Sequence, residues 1–298
     1  MRRVGFIFVG CIVAACGART GLLAPEIGDA APDVVEEDAA EEDAPEEDVV
    51  FPDVPIVSNC PDAGATYVYV LGSQRELYSF YPPTLAFSAI GVVDCNTTAQ
   101  PNSMAVTRSG IAFANYNDGQ LFAVSTANAA CKATTYAPNQ DGFLTFGMGY
   151  AANPDGGETL YVSGVGGTYA KGLGTIDTNA FTLGLIGSFQ PPVYNCELTG
   201  TGDGRLYGFC PFATGSYLVE INPTNAAVLS STQLSTGVGT GGYTWAFAFW
   251  GGAFWLFTGP GYAPSTVTKY DPIAKTETAV VTAPVSIVGA GVSTCAPQ

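Results

Sequence analysis

Asn153-Pro154-Asp155-Gly156-Gly157-Glu158-Thr159-Leu160-Tyr161-Val162 sets a tight turn directly before a strand. Pro, Asp and two Gly supply the bend, and Thr-Leu-Tyr-Val is the β-branched and aromatic run that follows it. The arrangement recurs. Ser109-Gly110 precedes Ile111-Ala112-Phe113-Ala114, Asp203-Gly204 precedes Arg205-Leu206-Tyr207-Gly208, and Gly251-Gly252 precedes Ala253-Phe254-Trp255-Leu256. With Tyr67-Val68-Tyr69-Val70 added, Tyr69, Phe113, Tyr161, Tyr207 and Trp255 follow one another at steps of 44, 48, 46 and 48 residues. A second run ends in a turn at the same period, as in Thr175-Ile176-Asp177-Thr178, Glu220-Ile221-Asn222-Pro223-Thr224 and Lys269-Tyr270-Asp271-Pro272. A unit of about 46 residues with about four strands is the size of a β-propeller blade. Inner strands are expected near Met104–Thr107, Phe146–Tyr150, Cys196–Gly200, Trp245–Trp250 and Ile287–Ser293. The last of these has no partners after it, and the first repeat starts at its second strand. Docking Ile287–Ser293 beside Tyr67–Leu71 closes an all-β, five-bladed propeller and removes an open sheet edge.

Asn153–Val162 looks like the S-P-D-G-x-x-L-Y-V turn of YVTN-type propeller repeats, and Tyr217–Asn225 is similar to the L-x-x-I-D-P-x-T-G turn of quinoprotein-like propellers. The likeness covers Tyr67 to Gln298 in degenerate repeats. It implies architecture rather than a particular chemistry.

The N-terminus reads differently. Arg2 and Arg3 precede an apolar stretch, Val4 to Ala14, that is too short to span a bilayer. Val13-Ala14-Ala15-Cys16-Gly17 resembles the bacterial lipobox, which implies cleavage before Cys16 and lipid attachment to it. The competing reading is an ordinary secretory signal with a chance cysteine. Gly17, in place of an Asp that would favour inner-membrane retention, points to an outer-membrane lipoprotein, with the periplasmic and cell-surface sides both open. Residues 1–15 are then the signal peptide, 16–59 the lipidated cysteine with its tether, and 60–298 the propeller domain.

The 298 residues carry 26 acidic and 10 basic side chains and no His, for a net charge of −16. Thirteen acids fall between Glu26 and Asp53, where Glu-Glu-Asp triads begin at Glu36, Glu41 and Glu46 and no Lys or Arg intervenes. Such a stretch repels itself and lacks apolar groups, so a disordered, extended spacer is expected. An acidic tail that attracts metal ions or binds a partner is its rival. From Val54 onward 13 acids face 7 bases, too few to neutralise phosphates, so no nucleic-acid partner is expected.

Eight cysteines are present; Cys11 leaves with the signal and Cys16 is the lipid site. Six remain in an exported chain, an even count that implies disulfides. Spacing alone leaves all pairings open. Ring closure suggests Cys60–Cys295, Cys196 and Cys210 flank the Asp203-Gly204 turn, and Cys95 and Cys131 are left in adjacent blades. There is no His and no C-x-x-C pair, and the turn acids Asp118, Asp155 and Asp203 form no D-x-D-x-D run, so no metal and no cofactor are expected.

The loops on one face of the ring carry Asn115, Tyr116, Phe143, Tyr169, Tyr194, Phe212, Tyr243 and Tyr262. Aromatic and amide groups there suit a glycan or protein ligand; the bland alternative is that Tyr merely caps blade ends. Tyr116, Tyr169, Tyr194, Phe212, Tyr243 and Tyr262 are the ligand-binding candidates. Absence of His excludes Ser-His-Asp catalysis. Five blades also do not match the eight of quinoprotein dehydrogenases. Glu197, with Asp94 or Asp141, is the weak candidate pair for a glycan-active hydrolase. The sequence therefore favours a membrane-anchored, non-catalytic binding or scaffolding module over an enzyme.

Overall fold

The computed structural model describes residues 66–212, 215–237 and 243–298. They form five four-stranded antiparallel sheets arranged as the blades of a propeller, with no helix among the described residues. Blade 1 contains β1 (Val68–Gly72), β2 (Glu76–Tyr81) and β3 (Ala86–Val92). Blade 2 holds β4 (Pro101–Val106), β5 (Ile111–Tyr116), β6 (Leu121–Ser125) and β7 (Cys131–Ala133). Blade 3 runs through β8 (Phe146–Ala152), β9 (Glu158–Gly164), β10 (Gly172–Asp177) and β11 (Thr182–Gly187). Blade 4 is β12 (Glu197–Gly200), β13 (Leu206–Phe212), β14 (Gly215–Ile221) and β15 (Val228–Leu234). Blade 5 is β16 (Tyr243–Trp250), β17 (Ala253–Pro260), β18 (Thr266–Asp271) and β19 (Thr276–Thr282). The final strand, β20 (Ile287–Val292), returns to pair with β1 as the inner strand of blade 1, with Val68 opposite Val292 and Val70 opposite Ala290. The expected N-to-C strand closure is thus present.

Burial grades outward along each blade. The inner strands β4, β8, β12 and β20 are almost wholly buried, whereas β3, β11 and β19 are half-buried or exposed. Apolar side chains from facing sheets meet between blades. Phe80 of blade 1 sets its ring edge-on to Trp255 and Phe257 of blade 5 at 5.5 and 5.8 Å. Phe113 of blade 2 does the same to Phe181 beside β11 at 6.1 Å. Each fully buried ring or aliphatic chain contributes roughly 1.5–3 kcal/mol relative to exposure.

Near the centre the inner strands approach at backbone distance. A Cβ on Gly149 of β8 would stand 2.6 Å from the Leu198 carbonyl carbon of β12, so only glycine fits that blade 3–blade 4 seam. At the outer hairpins, Asp177 Oδ1 accepts the Asn179 and Ala180 amides at 2.8 and 3.1 Å, and Asp271 accepts those of Ile273 and Ala274 at 2.9 Å. Four residues after each acid comes a non-glycine residue with positive φ, Phe181 at 53° and Lys275 at 54°. Leu85, Ala129 and Ala226 repeat that conformation in the other three blades, so the second sequence run is a five-fold copy of one turn.

Two disulfides are present. Cys196–Cys210 bridges β12 to β13 one step beyond the Glu197–Phe209 pair, and Cys95–Cys131 ties the β3–β4 connection to β7. Such pairs belong to chains that mature outside the reducing cytosol. Cys295 is also disulfide-bonded. The Cys60–Cys295 pairing, Cys16, the signal and the acidic tether lie outside the described residues.

Candidate functional site

All five blades meet around a cavity of about 300 Å³ at one mouth of the central channel. Val288 of blade 1, Asn102 of blade 2, Thr145 beside β8, Glu197 of blade 4 and Trp245 of blade 5 each line it at or near the start of an inner strand. Asn117, Asn195, Tyr243 and Thr244 add to the wall.

Local irregularity builds the rim. The β4–β5 register shifts between Pro101 and Ser103, which leaves Asn102 without a cross-strand partner. Its side-chain amide donates to Phe146 O at 3.1 Å and to Asn115 Oδ1 at 3.3 Å, while Phe146 N–H also donates to Asn115 Oδ1 at 3.3 Å. Blades 2 and 3 are stitched together there. Asn195 accepts the Gly166 amide at 2.9 Å and so fixes the β9–β10 loop against blade 4.

Glu197 forms the floor. Ser103 Oγ donates to its Oε2 at 2.6 Å and itself accepts the Met148 amide at 3.1 Å, so the carboxyl links blade 4 to blades 2 and 3 across the channel. Burial pushes its pKa well above the ordinary carboxylate range, against the lowering effect of the Ser103 and Met148 hydrogen bonds. Burial thus favours its neutral form. It is the one carboxyl lining the cavity, and neither Lys nor Arg lines it among the described residues. Asp94 and Asp141, its expected partners, are exposed on loops and do not line the cavity. Asp94 Oδ1 instead accepts the Asn96 amide at 3.3 Å, and Asp141 occupies a turn with φ of 48°. The acid pair of the hydrolase reading is not assembled.

The aromatic candidates divide. Tyr116 is a correction: it ends β5 fully buried, edge-on to Phe122 at 4.9 Å, with its hydroxyl 3.4 Å from Cys95 Sγ. Burial pushes its phenol up to about 12. Phe143 and Asn115 are likewise buried rather than loop-surface groups. Tyr243 lines the central cavity. Tyr262 is 78% exposed in the β17–β18 turn. Tyr169, Tyr194 and Phe212 come together as a ladder. Tyr169 lies 5.4 Å from Tyr194 at 12° between planes, and Tyr194 lies 3.9 Å from Phe212 at 3°. Tyr169 is 50% exposed at the outer end, above a groove of about 240 Å³ lined by Pro191, Pro192, Tyr194 and Tyr217.

Sequence reasoning missed Asn102, Asn117, Thr145, Asn195, Thr244 and Trp245. Their shared signal is position, since they sit at the same phase of the repeat or on the adjoining loops; Asn recurs three times and Thr twice among them, but in no fixed local motif. Among the described residues no cluster of His, Cys, Asp and Glu could hold a metal ion.

No protein-family model matches the chain, and no curated protein matches it. Solved structures with a similar arrangement include a protein of unknown function from Bacteroides caccae, at 11% identity and TM-score 0.42, over 76% of this chain and 98% of that one. TolB from Acinetobacter baumannii matches at 11% identity and TM-score 0.42, over 76% of this chain and 53% of its own. Hydrazine synthase from Kuenenia stuttgartiensis matches at 11% identity and TM-score 0.38, over 75% and 68%. This chain thus spans about half the length of TolB. Likenesses at this level bring no activity or ligand to the chain.

Proposed function

We propose that the chain is an exported, lipid-anchored binding propeller without catalysis, tethered through Cys16 and the acidic stretch to the outer membrane, its ring residing on the periplasmic or cell-surface side. The observation that carries the binding reading is the Tyr169–Tyr194–Phe212 ladder. Three rings held parallel lose little conformational freedom when a ligand arrives, and the outer face of Tyr169 is open to solvent. A glycan chain is the ligand class such faces suit, and a protein segment lying in the Pro191–Pro192 groove is the other. Hydrolysis by paired carboxylates requires two acids within roughly 5–10 Å, and Glu197 lines its cavity without a second carboxyl among the described residues.

A glycan array on the full-length protein tests this reading. Tyr169→Ala and Tyr194→Ala should each weaken retention about 2- to 10-fold, the equivalent of roughly 0.5–1.5 kcal/mol per stacked ring. Cys16→Ser should shift the protein from the detergent phase to soluble or unprocessed material. Release of sugar from any bound polysaccharide, abolished by Glu197→Gln alone, would replace the binding module with an enzyme.

A further inference from the structure

In the chain, Tyr194 of the ladder directly precedes Asn195 of the cavity wall. The cavity's chemistry differs from that of the groove. About 300 Å³ is at the small end for a ligand pocket, room for little more than one ring-sized group. Its wall offers amides, hydroxyls and two aromatic side chains, with no cation to meet an anionic ligand. The Asn117 amide and the Thr145 hydroxyl have no side-chain hydrogen-bond partner among the described residues. Asn117 and Thr145 can each donate and accept, as a sugar hydroxyl does.

From this geometry we infer that the channel-mouth cavity holds a single uncharged sugar residue, hydrogen-bonded by Asn117, Thr145 and Glu197 and walled by Trp245 and Tyr243. The inference rests on the binding-module reading and names the class of its terminal ligand. Glu197 can meet a ligand hydroxyl in either protonation state, whereas an ammonium ligand would need its ionised form, which burial penalises. A uronic or sialic acid would find no Lys or Arg to pair with.

The test uses full-length protein in a sugar-free detergent and the methyl glycosides of glucose, galactose, mannose and N-acetylglucosamine as probes. Methyl glucuronide and glucosamine serve as the charged comparators. Saturation-transfer NMR and tryptophan fluorescence report binding. At least one neutral glycoside should bind about tenfold tighter than either charged probe. Asn117→Ala and Thr145→Val should each weaken it about 5- to 10-fold, the effect of one lost hydrogen bond, with an unchanged melting temperature. Leu229→Ser on the exposed face of β15 should leave it unchanged. Should Thr145→Val fail to fold, Asn117→Ala on its exposed turn still decides the matter. Absence of binding by every neutral probe, preference for a charged one, or indifference to Asn117→Ala would overturn the inference. Polysaccharide retention lost in Tyr169→Ala, with no neutral monosaccharide bound by the parent, would sink the cavity assignment and leave the binding module standing.

Discussion

Glu197 is the residue at which energy and function are most tightly joined. In the native state burial penalises its charged form, and no cation lies near enough to compensate. In the unfolded chain the same carboxyl ionises near the ordinary Glu value of about 4.3. Its native pKa is therefore raised above the unfolded one. The stability it contributes is complete below the unfolded pKa and is lost as pH rises toward the native value. Glu158 is raised by burial too and acts with the same sign. Glu197→Gln should remove one of these two slopes. Its stability relative to the parent should climb by up to about 1.4 kcal/mol per pH unit from about pH 5 upward. Urea melts at half-unit steps between pH 5 and 8 measure this, and parallel curves for the two proteins would show that Glu197 is ionised in the native state. Nothing in the sequence announced that shift. The Cys196-Glu197 pair was readable as part of an inner strand, but the burial that raises its pKa depends on packing against blades 2 and 3, where Ser103, 94 positions away, partly offsets it.

At the scale of strands and turns, the period was visible because the second strand of each blade needs a large ring to fill the space between blades. Tyr161, Tyr207 and Trp255 answer that need at one phase. The outer turns were visible for a similar reason: Asp177, Asn222 and Asp271 supply a side-chain oxygen to the amides that follow. Tyr116 was misread because it lies where a strand becomes a loop, and whether such a ring turns inward depends on the Pro101–Ser103 register shift across the pair. No local pattern encodes that shift. The seams between inner strands depend on the same kind of long-range fit, and they can be probed singly. Gly149→Ala places a methyl group against the Leu198 carbonyl and the Thr199 Cα of blade 4. Backbone can yield there only by opening the seam, so the variant should lose about 1–3 kcal/mol, as overpacked cores do. Thermal melts measure the loss. An unchanged melting temperature would mean that β8 and β12 lie farther apart than described.

For the molecule as a ring, what matters is how the two ends of the repeat are held. β20 supplies the missing inner strand of blade 1, and its Gly289 and Gly291 lie against the backbone of Met104 and Val106 in blade 2. Just beyond β20, Thr294 Oγ1 accepts from Arg108 Nε at 2.5 Å and donates to Glu158 Oε2 at 2.9 Å, while the Arg108 amide donates to Glu158 Oε1 at 2.9 Å. One clasp thereby joins the end of blade 1 to the β4–β5 turn of blade 2 and the start of β9 in blade 3. A half-satisfied network at this depth is costly, so removing one member should exceed the loss of its own hydrogen bonds. Deletion of Val285–Gln298 removes the strand, the clasp and Cys295 together, and it leaves β1 as an unpaired edge along Val68–Gly72. Its loss should lie well beyond the 0.5–3 kcal/mol of ordinary single substitutions, with aggregation of the exposed edge. Thr294→Val separates the contributions: the strand and Cys295 stay, the clasp loses its hydroxyl, and the cost should be roughly 1–3 kcal/mol. If the truncated protein melts as cooperatively and as high as the parent, closure by β20 contributes little and the ring is held by its inter-blade cores alone.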